Sequence, residues 1–348
     1  MRLFLDPARG AGEYPKGMMP PTDLPSILRV FTDIEVEPAL IDRLREGIHP
    51  HDLVLPSGGG TSVLAEAPAD TELVEAHIAL GQPAVQGVLG SKSLRWVQLS
   101  TAGFTRYDTP EFRSAVAEKG VVVTNSSPVY DQACAEHLLV FMLAQARQLP
   151  RALGTRTPSG TEAWYKLRAD ARLLHGQTVL TVGYGAIAQK LVDMLAPFDM
   201  RVRAVRRQPR GEEKVNIVTP DQIYPALATA DHVVNILPDN PTTRDFFSTK
   251  EFATMKAGAA FYNIGRGTTV DQDALAEALR SGTPGAAWLD VTEPEPLPEG
   301  HPLLELENCH ITPHTGGGQR DDLKDLVDHF LTNFARYLKG DELLNRIM

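Results

Sequence analysis

The chain has 348 residues, 43% of them hydrophobic and 22% charged, with a formal net charge of -10. That length accommodates two domains of ordinary size, each burying its own core. No uninterrupted apolar run approaches the roughly 20 residues a membrane span needs, so the composition reads as that of a soluble globular protein. The negative charge and the lack of a long Lys/Arg block argue against a nucleic-acid partner, whereas an anionic small molecule stays open because one or two buried cations set a pocket's local field.

The segment from Met1 to Pro7 carries one basic residue and only the short Leu3-Phe4-Leu5 run. It lacks the apolar stretch of about 7 to 15 residues of a secretory signal, and a cytoplasmic protein is expected. Residues 1–25 are rich in Gly and Pro, and a strand at 2–5 is the one element expected there. Strands are then expected at 28–32, 52–55, 94–99 and 121–124, with helical patterns between several of them. Residues 135–146 are apolar almost all round, which predicts a buried helix. The two cysteines, Cys134 and Cys309, have no C-x-x-C or histidine spacing, so they read as inert core thiols and no metal site is expected.

A Thr/Pro/Ser/Gly stretch at 155–160 reads as a surface loop, and a second series of strands follows at 178–182, 201–205, 232–237, 260–264, 286–291 and 310–312. Ile187, Leu191 and Leu195 recur at i, i+4, i+8, an apolar helix stripe facing a sheet. Ser248 and Glu251 have the capping-box spacing, and 271–280 opens on an acidic cap and stops at Gly282. A helix at 321–338 should return to pack on the first series. Short strands alternating with amphipathic helices predict an α/β doubly wound fold.

The first strand of the second series runs into Gly183-Tyr184-Gly185-Ala186-Ile187-Ala188, a G-x-G-x-x-A match followed by a helix. The first glycine permits the tight turn, the second lets backbone approach a pyrophosphate, and the small third residue allows close helix packing. The helix start supplies N–H groups and its dipole to the phosphates. With the flanking elements correct, nucleotide binding is preferred to a plain glycine turn. The acid that would hold the ribose diol of NAD is replaced by Arg206, with Arg207 and Arg210 close by. A guanidinium suits a 2′-phosphate, so NADP(H) is favoured and NAD(H) remains possible. The alternative is a solvated basic turn with relaxed cofactor choice. Leu237, Pro238, Ile264, Gly265 and Asp290, at neighbouring strand ends, are counted with these as cofactor-binding.

Three strand ends deliver Arg266, the carboxylates Asp290, Glu293 and Glu295, and His314 to one edge of the sheet. Carbonyl reduction needs such a set: a cation to bind a substrate carboxylate and polarise the carbonyl, and an acid to protonate the developing alkoxide. Histidine titrates near neutrality, and a neighbouring carboxylate stabilises its protonated form. Singly, each residue is weak evidence, since a lone histidine after a strand is more often structural.

Five segments together carry a resemblance: Val182-Gly-Tyr-Gly-Ala-Ile, Asn263-Ile-Gly-Arg-Gly, Leu289-Asp-Val followed by Glu-Pro-Glu-Pro, Thr312-Pro-His-Thr-Gly-Gly, and Ala135-Glu136-His137-Leu138. Over roughly residues 94 to 338 the chain resembles the D-isomer-specific 2-hydroxy acid dehydrogenases. The resemblance implies a Rossmann coenzyme-binding domain, 129–316, inserted into a flavodoxin-like substrate domain, 1–128 with 317–348. It also implies that Arg266 binds the substrate carboxylate, that His314 is the proton donor or acceptor paired with Glu295, and that Asp290 lies near the nicotinamide carboxamide. A homodimer is implied, with the helix near Ala135 at or near its interface.

Two departures bear on specificity. Thr101-Ala102-Gly103-Phe104-Thr105 stands where the family commonly has Gly-x-Gly-x-Asp, leaving Ala102 and Gly103 as the backbone donors to a substrate carboxylate. Arg206 in place of the acid resembles the NADP(H)-preferring reductases of glyoxylate and hydroxypyruvate. A reductase of a short 2-oxo acid is therefore expected; the alternatives are a nucleotide-sensing corepressor-like binding protein or a phosphoglycerate dehydrogenase-like enzyme.

Overall fold

The computed structural model describes residues 25–57, 70–156 and 158–348, and the strand expected at 2–5 lies outside them. The chain divides into two compact units: the described residues up to Tyr130 together with Gln319–Met348, and Asp131–Gly318.

The first unit is built on a parallel sheet of β1 (Arg29–Thr32), β2 (Asp52–Val54), β3 (Ile78–Gly81), β4 (Trp96–Leu99) and β5 (Val122–Thr124), in the order β2-β1-β3-β4-β5. The inner strands β3 and β4 are buried along their whole length, as covered parallel strands must be. The helix Asp322–Lys339 belongs to this unit because its apolar face lands on Trp96: Phe330 and Tyr337 stack on the indole at 5.2 and 5.5 Å. Its one buried polar residue, Asn333, is satisfied by Gln98 Oε1 at 3.0 Å and by the Leu344 N–H at 2.8 Å. That pairing fixes the register of helix on sheet.

The second unit is a seven-stranded parallel sheet of β6 (Thr178–Val182), β7 (Arg201–Val205), β8 (Asn216–Val218), β9 (His232–Asn235), β10 (Ala260–Asn263), β11 (Ala286–Leu289) and β12 (Cys309–Ile311), ordered β12-β11-β10-β9-β6-β7-β8. The order reverses between β6 and β9, which opens a crevice at their carboxyl ends. One face is sealed by Phe247, Phe252 and Phe261, with ring centroids 4.8 to 6.0 Å apart. Ser248 and Glu251 form the expected capping box, and Asp271 and Gly282 bound the helix Gln272–Ser281.

Three expectations need correction. Strands β3 and β8, of four and three residues, were not expected. In the helix Ala186–Leu195 the buried stripe is Ala188, Leu191, Val192 and Leu195, with Ile187 only half-buried at its start. The helix over 135–146 begins earlier, at Ser127, and is not buried all round: Gln132, Glu136 and Val140 form an exposed stripe, Val140 at 59%. Burial requires a neighbour as well as an apolar side chain: of this stripe Gln132 Nε2 reaches Met194 Sδ at 3.9 Å, and Val140 stays exposed.

Several histidines are held neutral by the fold. His232 lies between Tyr262 Oη at 2.8 Å and Gln177 Oε1 at 2.6 Å, and burial pushes it down to about 4. Burial also lowers His51, His77, His310 and His329; Nδ1 of His51 and of His77 accepts a backbone N–H, from Leu28 and Arg29. Between about 4 and the ordinary 6.5 the unfolded chain therefore binds more protons than the folded one. His232's share of stability is complete above 6.5 and declines as pH falls, by up to about 3 kcal/mol. Melting temperature measured from pH 7.5 down to 4.5 should fall, and His232→Gln should flatten part of that slope; parallel curves for the two proteins would refute His232's share.

Candidate active site

At the crevice, the turn after β6 has Gly183 at φ +109°, where a Cβ would also sit 3.0 Å from the Ile236 carbonyl oxygen. Its N–H donates to the Val205 carbonyl at 3.2 Å, so the turn lies beside the end of β7. Gly185 differs: its φ is -94° and a Cβ there would meet no atom within 4 Å. Neither backbone conformation nor packing within the protein demands glycine at that place. The clear space at the start of the helix Ala186–Leu195, whose first-turn N–H groups have no side-chain cap, fits a dinucleotide pyrophosphate.

Arg206 follows β7, and its Nη1 lies 3.2 Å from Glu213 Oε1. The same carboxylate accepts the N–H of Arg210 at 2.7 Å and of Gly211 at 2.9 Å. These backbone donors, with Arg206, hold Glu213 below the ordinary carboxylate range. Arg206 is thus paired within its own loop, which the basic run alone did not indicate; Arg207 and Arg210 are exposed.

The loop after β10 is set by a buried amide network. Asn235 Nδ2 donates to Asn263 Oδ1 (3.1 Å) and Thr269 Oγ1 (2.7 Å). Thr269 Oγ1 (2.7 Å) and Asn263 Nδ2 (3.1 Å) in turn donate to the Arg266 carbonyl. The same two asparagines place the neighbouring loops: Leu237 N–H donates to Asn235 Oδ1 and Gly265 N–H to Asn263 Oδ1. Pro238 accepts from Thr243 Oγ1 at 2.6 Å, and Ile264 is buried. Gly267 lies so close to the segment after β11 that a Cβ would fall 2.1 Å from the Thr292 carbonyl. Arg266 is therefore carried on a fixed backbone, its guanidinium Nη1 donating to the Gly265 carbonyl at 2.6 Å.

Asp290, 2% exposed, organises the loop after β12. Its Oδ1 accepts from Thr312 Oγ1 at 2.6 Å and from the Thr315 N–H at 2.9 Å, and its Oδ2 accepts the Gly316 N–H at 2.9 Å. His137 Nε2 lies 3.2 Å from Thr312 Oγ1, extending the chain of hydrogen bonds to the helix Ser127–Ala146. The peptide between these anchors carries His314 at φ +52°, a left-handed conformation that costs an ordinary residue about 1–2 kcal/mol and here is held by the His314 N–H to the Asp290 carbonyl at 3.0 Å. The resulting ring position puts Nδ1 2.7 Å from Glu295 Oε1, with the two side chains 46% and 35% exposed. Glu293 lies in the same loop and uses its backbone, accepting and donating hydrogen bonds with the Gln272 amide.

An imidazole held at Nδ1 by a carboxylate keeps Nε2 as the atom able to give or take a proton. Cys134 stays inert beside this site: burial, reinforced by Asp290, pushes its thiol up to about 12, and Cys309 is likewise pushed up to about 12 by burial. In the first unit, the loop after β4 has its carbonyls tied, Ala102 to Asn125 Nδ2 at 2.7 Å and Gly103 to Thr101 Oγ1 at 2.6 Å. The N–H groups of Ala102 and Gly103 donate to none of the described residues. Sequence reasoning missed Asn235, Thr269, Thr312 as a link and Glu213. The available signal was an asparagine closing each of two adjacent strands and an acid seven residues after Arg206.

The sequence and architecture have counterparts among known proteins. Residues 139–316 match the model of the D-isomer specific 2-hydroxyacid dehydrogenase NAD-binding domain. The glyoxylate reductase/hydroxypyruvate reductase of Homo sapiens is 37% identical over 230 residues, 66% of this chain and 70% of that protein. Glyoxylate/hydroxypyruvate reductase B of Citrobacter koseri is 30% identical over 289 residues, 77% of this chain and 86% of the relative. A solved D-isomer specific 2-hydroxyacid dehydrogenase from Xanthobacter autotrophicus Py2, in complex with NADPH and MES, is 26% identical with a TM-score of 0.76, covering 93% of this chain and 98% of its own. The chain belongs to the D-isomer-specific 2-hydroxyacid dehydrogenase family. It is an NAD(P)-dependent oxidoreductase acting on CH–OH groups. No helix among the described residues is long and apolar enough to cross a membrane.

Because three donors lose their acceptor together, Asp290→Ala should destabilise the protein by roughly 2–4 kcal/mol in urea unfolding. A loss under about 0.5 kcal/mol, the level of a surface substitution, would mean that the carboxylate does not hold this turn.

Proposed function

We propose that the enzyme reduces a short 2-oxo acid, glyoxylate or hydroxypyruvate, with NADP(H) favoured over NAD(H). The observation that carries this reading is the His314–Glu295 pair at 2.7 Å, presented on a strained turn with the outer ring nitrogen left to the substrate. The substrate class is supported by the human and Citrobacter koseri relatives, which are glyoxylate/hydroxypyruvate reductases, and the cofactor by Arg206 and by the NADPH held by the Xanthobacter protein.

In this reading Gly183, Gly185, Ala186 and Ile187 receive the pyrophosphate, and Leu237, Pro238, Ile264 and Gly265 line the crevice beyond it. A nicotinamide held along this crevice would supply or take the hydride at C2 of the acid. His314 Nε2 delivers a proton to the oxygen that becomes the hydroxyl, and recovers it in the reverse direction. Glu295 keeps the ring in the tautomer with hydrogen on Nδ1 and balances the imidazolium charge. Arg266 binds the substrate carboxylate and polarises the carbonyl, so that positioning and electrostatic stabilisation come from one side chain. The N–H groups of Ala102 and Gly103, in the other unit, are proposed as substrate-binding donors. Asp290, with both oxygens engaged in the 312–316 turn, acts first as the support of His314; its place near the nicotinamide carboxamide is part of the proposal. The unit Asp131–Gly318 takes the coenzyme role and the other unit the substrate role.

A second copy of the chain is the proposed cover for the exposed apolar side chains of the coenzyme unit, Val140 at 59%, Leu153 at 69%, Tyr165 at 62% and Leu173 at 68%.

Loss of NADPH absorbance is expected with glyoxylate or hydroxypyruvate. His314→Ala should lower turnover by about 100- to 10,000-fold while NADPH binding, followed by fluorescence, persists. Full turnover in that variant would remove His314 from the proton-transfer role; no turnover by the wild type with any short 2-oxo acid would remove the substrate assignment.

A further inference from the structure

We infer that Glu213 is an internal anion that competes with the 2′-phosphate of NADP(H) for the Arg206 site and thereby sets how strongly the enzyme prefers NADP(H) over NAD(H). The inference rests on the proposed cofactor placement, with Arg206 at the adenosine ribose.

Three N–H donors converge on the Glu213 carboxylate: the Arg206 guanidinium at 3.2 Å and the backbone groups of Arg210 at 2.7 Å and Gly211 at 2.9 Å. One cationic donor and two adjacent backbone N–H groups form a concave anion site, the same set of groups that a phosphate monoester takes. Its present occupant comes from the loop itself, and the Glu213 side chain is only 6% exposed while Arg206 is 21% exposed. The site stands beside the pyrophosphate turn, because Arg206 directly follows Val205, whose carbonyl accepts the Gly183 N–H at 3.2 Å.

The charges then decide the outcome. Glu213 neutralises Arg206, so an incoming phosphate dianion meets an ion pair rather than a free cation. Lys214 does not restore the balance, since it is bound to Asp193 at 2.7 Å. The exposed Arg207 and Arg210 side chains are screened by solvent and attract weakly. Binding of NADP(H) therefore requires the carboxylate to leave its three donors, whereas NAD(H), with a ribose hydroxyl in place of the phosphate, leaves it seated. The result is a preference for NADP(H) smaller than Arg206 alone would produce.

The test is the ratio of the NADH to the NADPH dissociation constant, measured on the purified full chain by nicotinamide fluorescence. Glu213→Gln keeps an amide oxygen at the Oε1 position for the Arg210 N–H, while it removes the charge and the Oε2 acceptor of the Gly211 N–H, and the ratio should rise about tenfold through tighter NADPH. Arg206→Gln should lower the ratio by about tenfold or more. If Glu213→Gln leaves the ratio unchanged or lowers it while Arg206→Gln lowers it, the competition is refuted and the cofactor reading stands. If Arg206→Gln leaves the ratio at its wild-type value, the cofactor reading fails and the inference fails with it.

Discussion

The buried carboxylate of Asp290 accepts three hydrogen bonds from a five-residue turn, and the chemistry proposed for this enzyme hangs on that turn. Without it, residues 312–316 would have no reason to hold a histidine in the left-handed region, a conformation that is unfavourable for any side chain with a Cβ. Asp290 makes the arrangement stable by satisfying the N–H groups on the far side of His314 and, through its own carbonyl, that of His314 itself. The imidazole is then aimed by backbone rather than by side-chain freedom, which is how a proton donor is kept at a fixed place.

A comparable economy governs the other strand ends. Asn235 and Asn263 close adjacent strands, and their amides serve the loops bearing Leu237, Gly265 and Arg266. Where loops must touch, a missing Cβ permits it, most clearly at Gly267 against Thr292. The sheet is thus rigid up to its edge, and the loops beyond that edge are tied to it by buried polar groups that would be costly to leave unpaired.

Much of this was legible in the residues. The G-x-G-x-x-A turn, the two helix caps and ten of the twelve strands among the described residues carry local signals. Strands β3 and β8 were not read, although they are no shorter than β2, β5 and β12, which were. His314 and Glu295 could be named as partners only through resemblance, since nothing local to either residue encodes a contact across nineteen positions. Arg206 shows the opposite limit: its charge was visible, but its engagement by Glu213 depends on how the 206–213 loop closes. The exposed stripe of Gln132, Glu136 and Val140 was hidden for a related reason, in that composition reports what a helix face prefers and not whether a neighbour arrives.

A double-mutant cycle on glyoxylate or hydroxypyruvate turnover tests whether His314 and Glu295 work as one proton-transferring unit. If the two act together, Glu295→Gln slows turnover by about 10- to 100-fold in the wild-type background and has almost no further effect when combined with His314→Ala. Independent, multiplying losses in the double variant would show that the two side chains act separately.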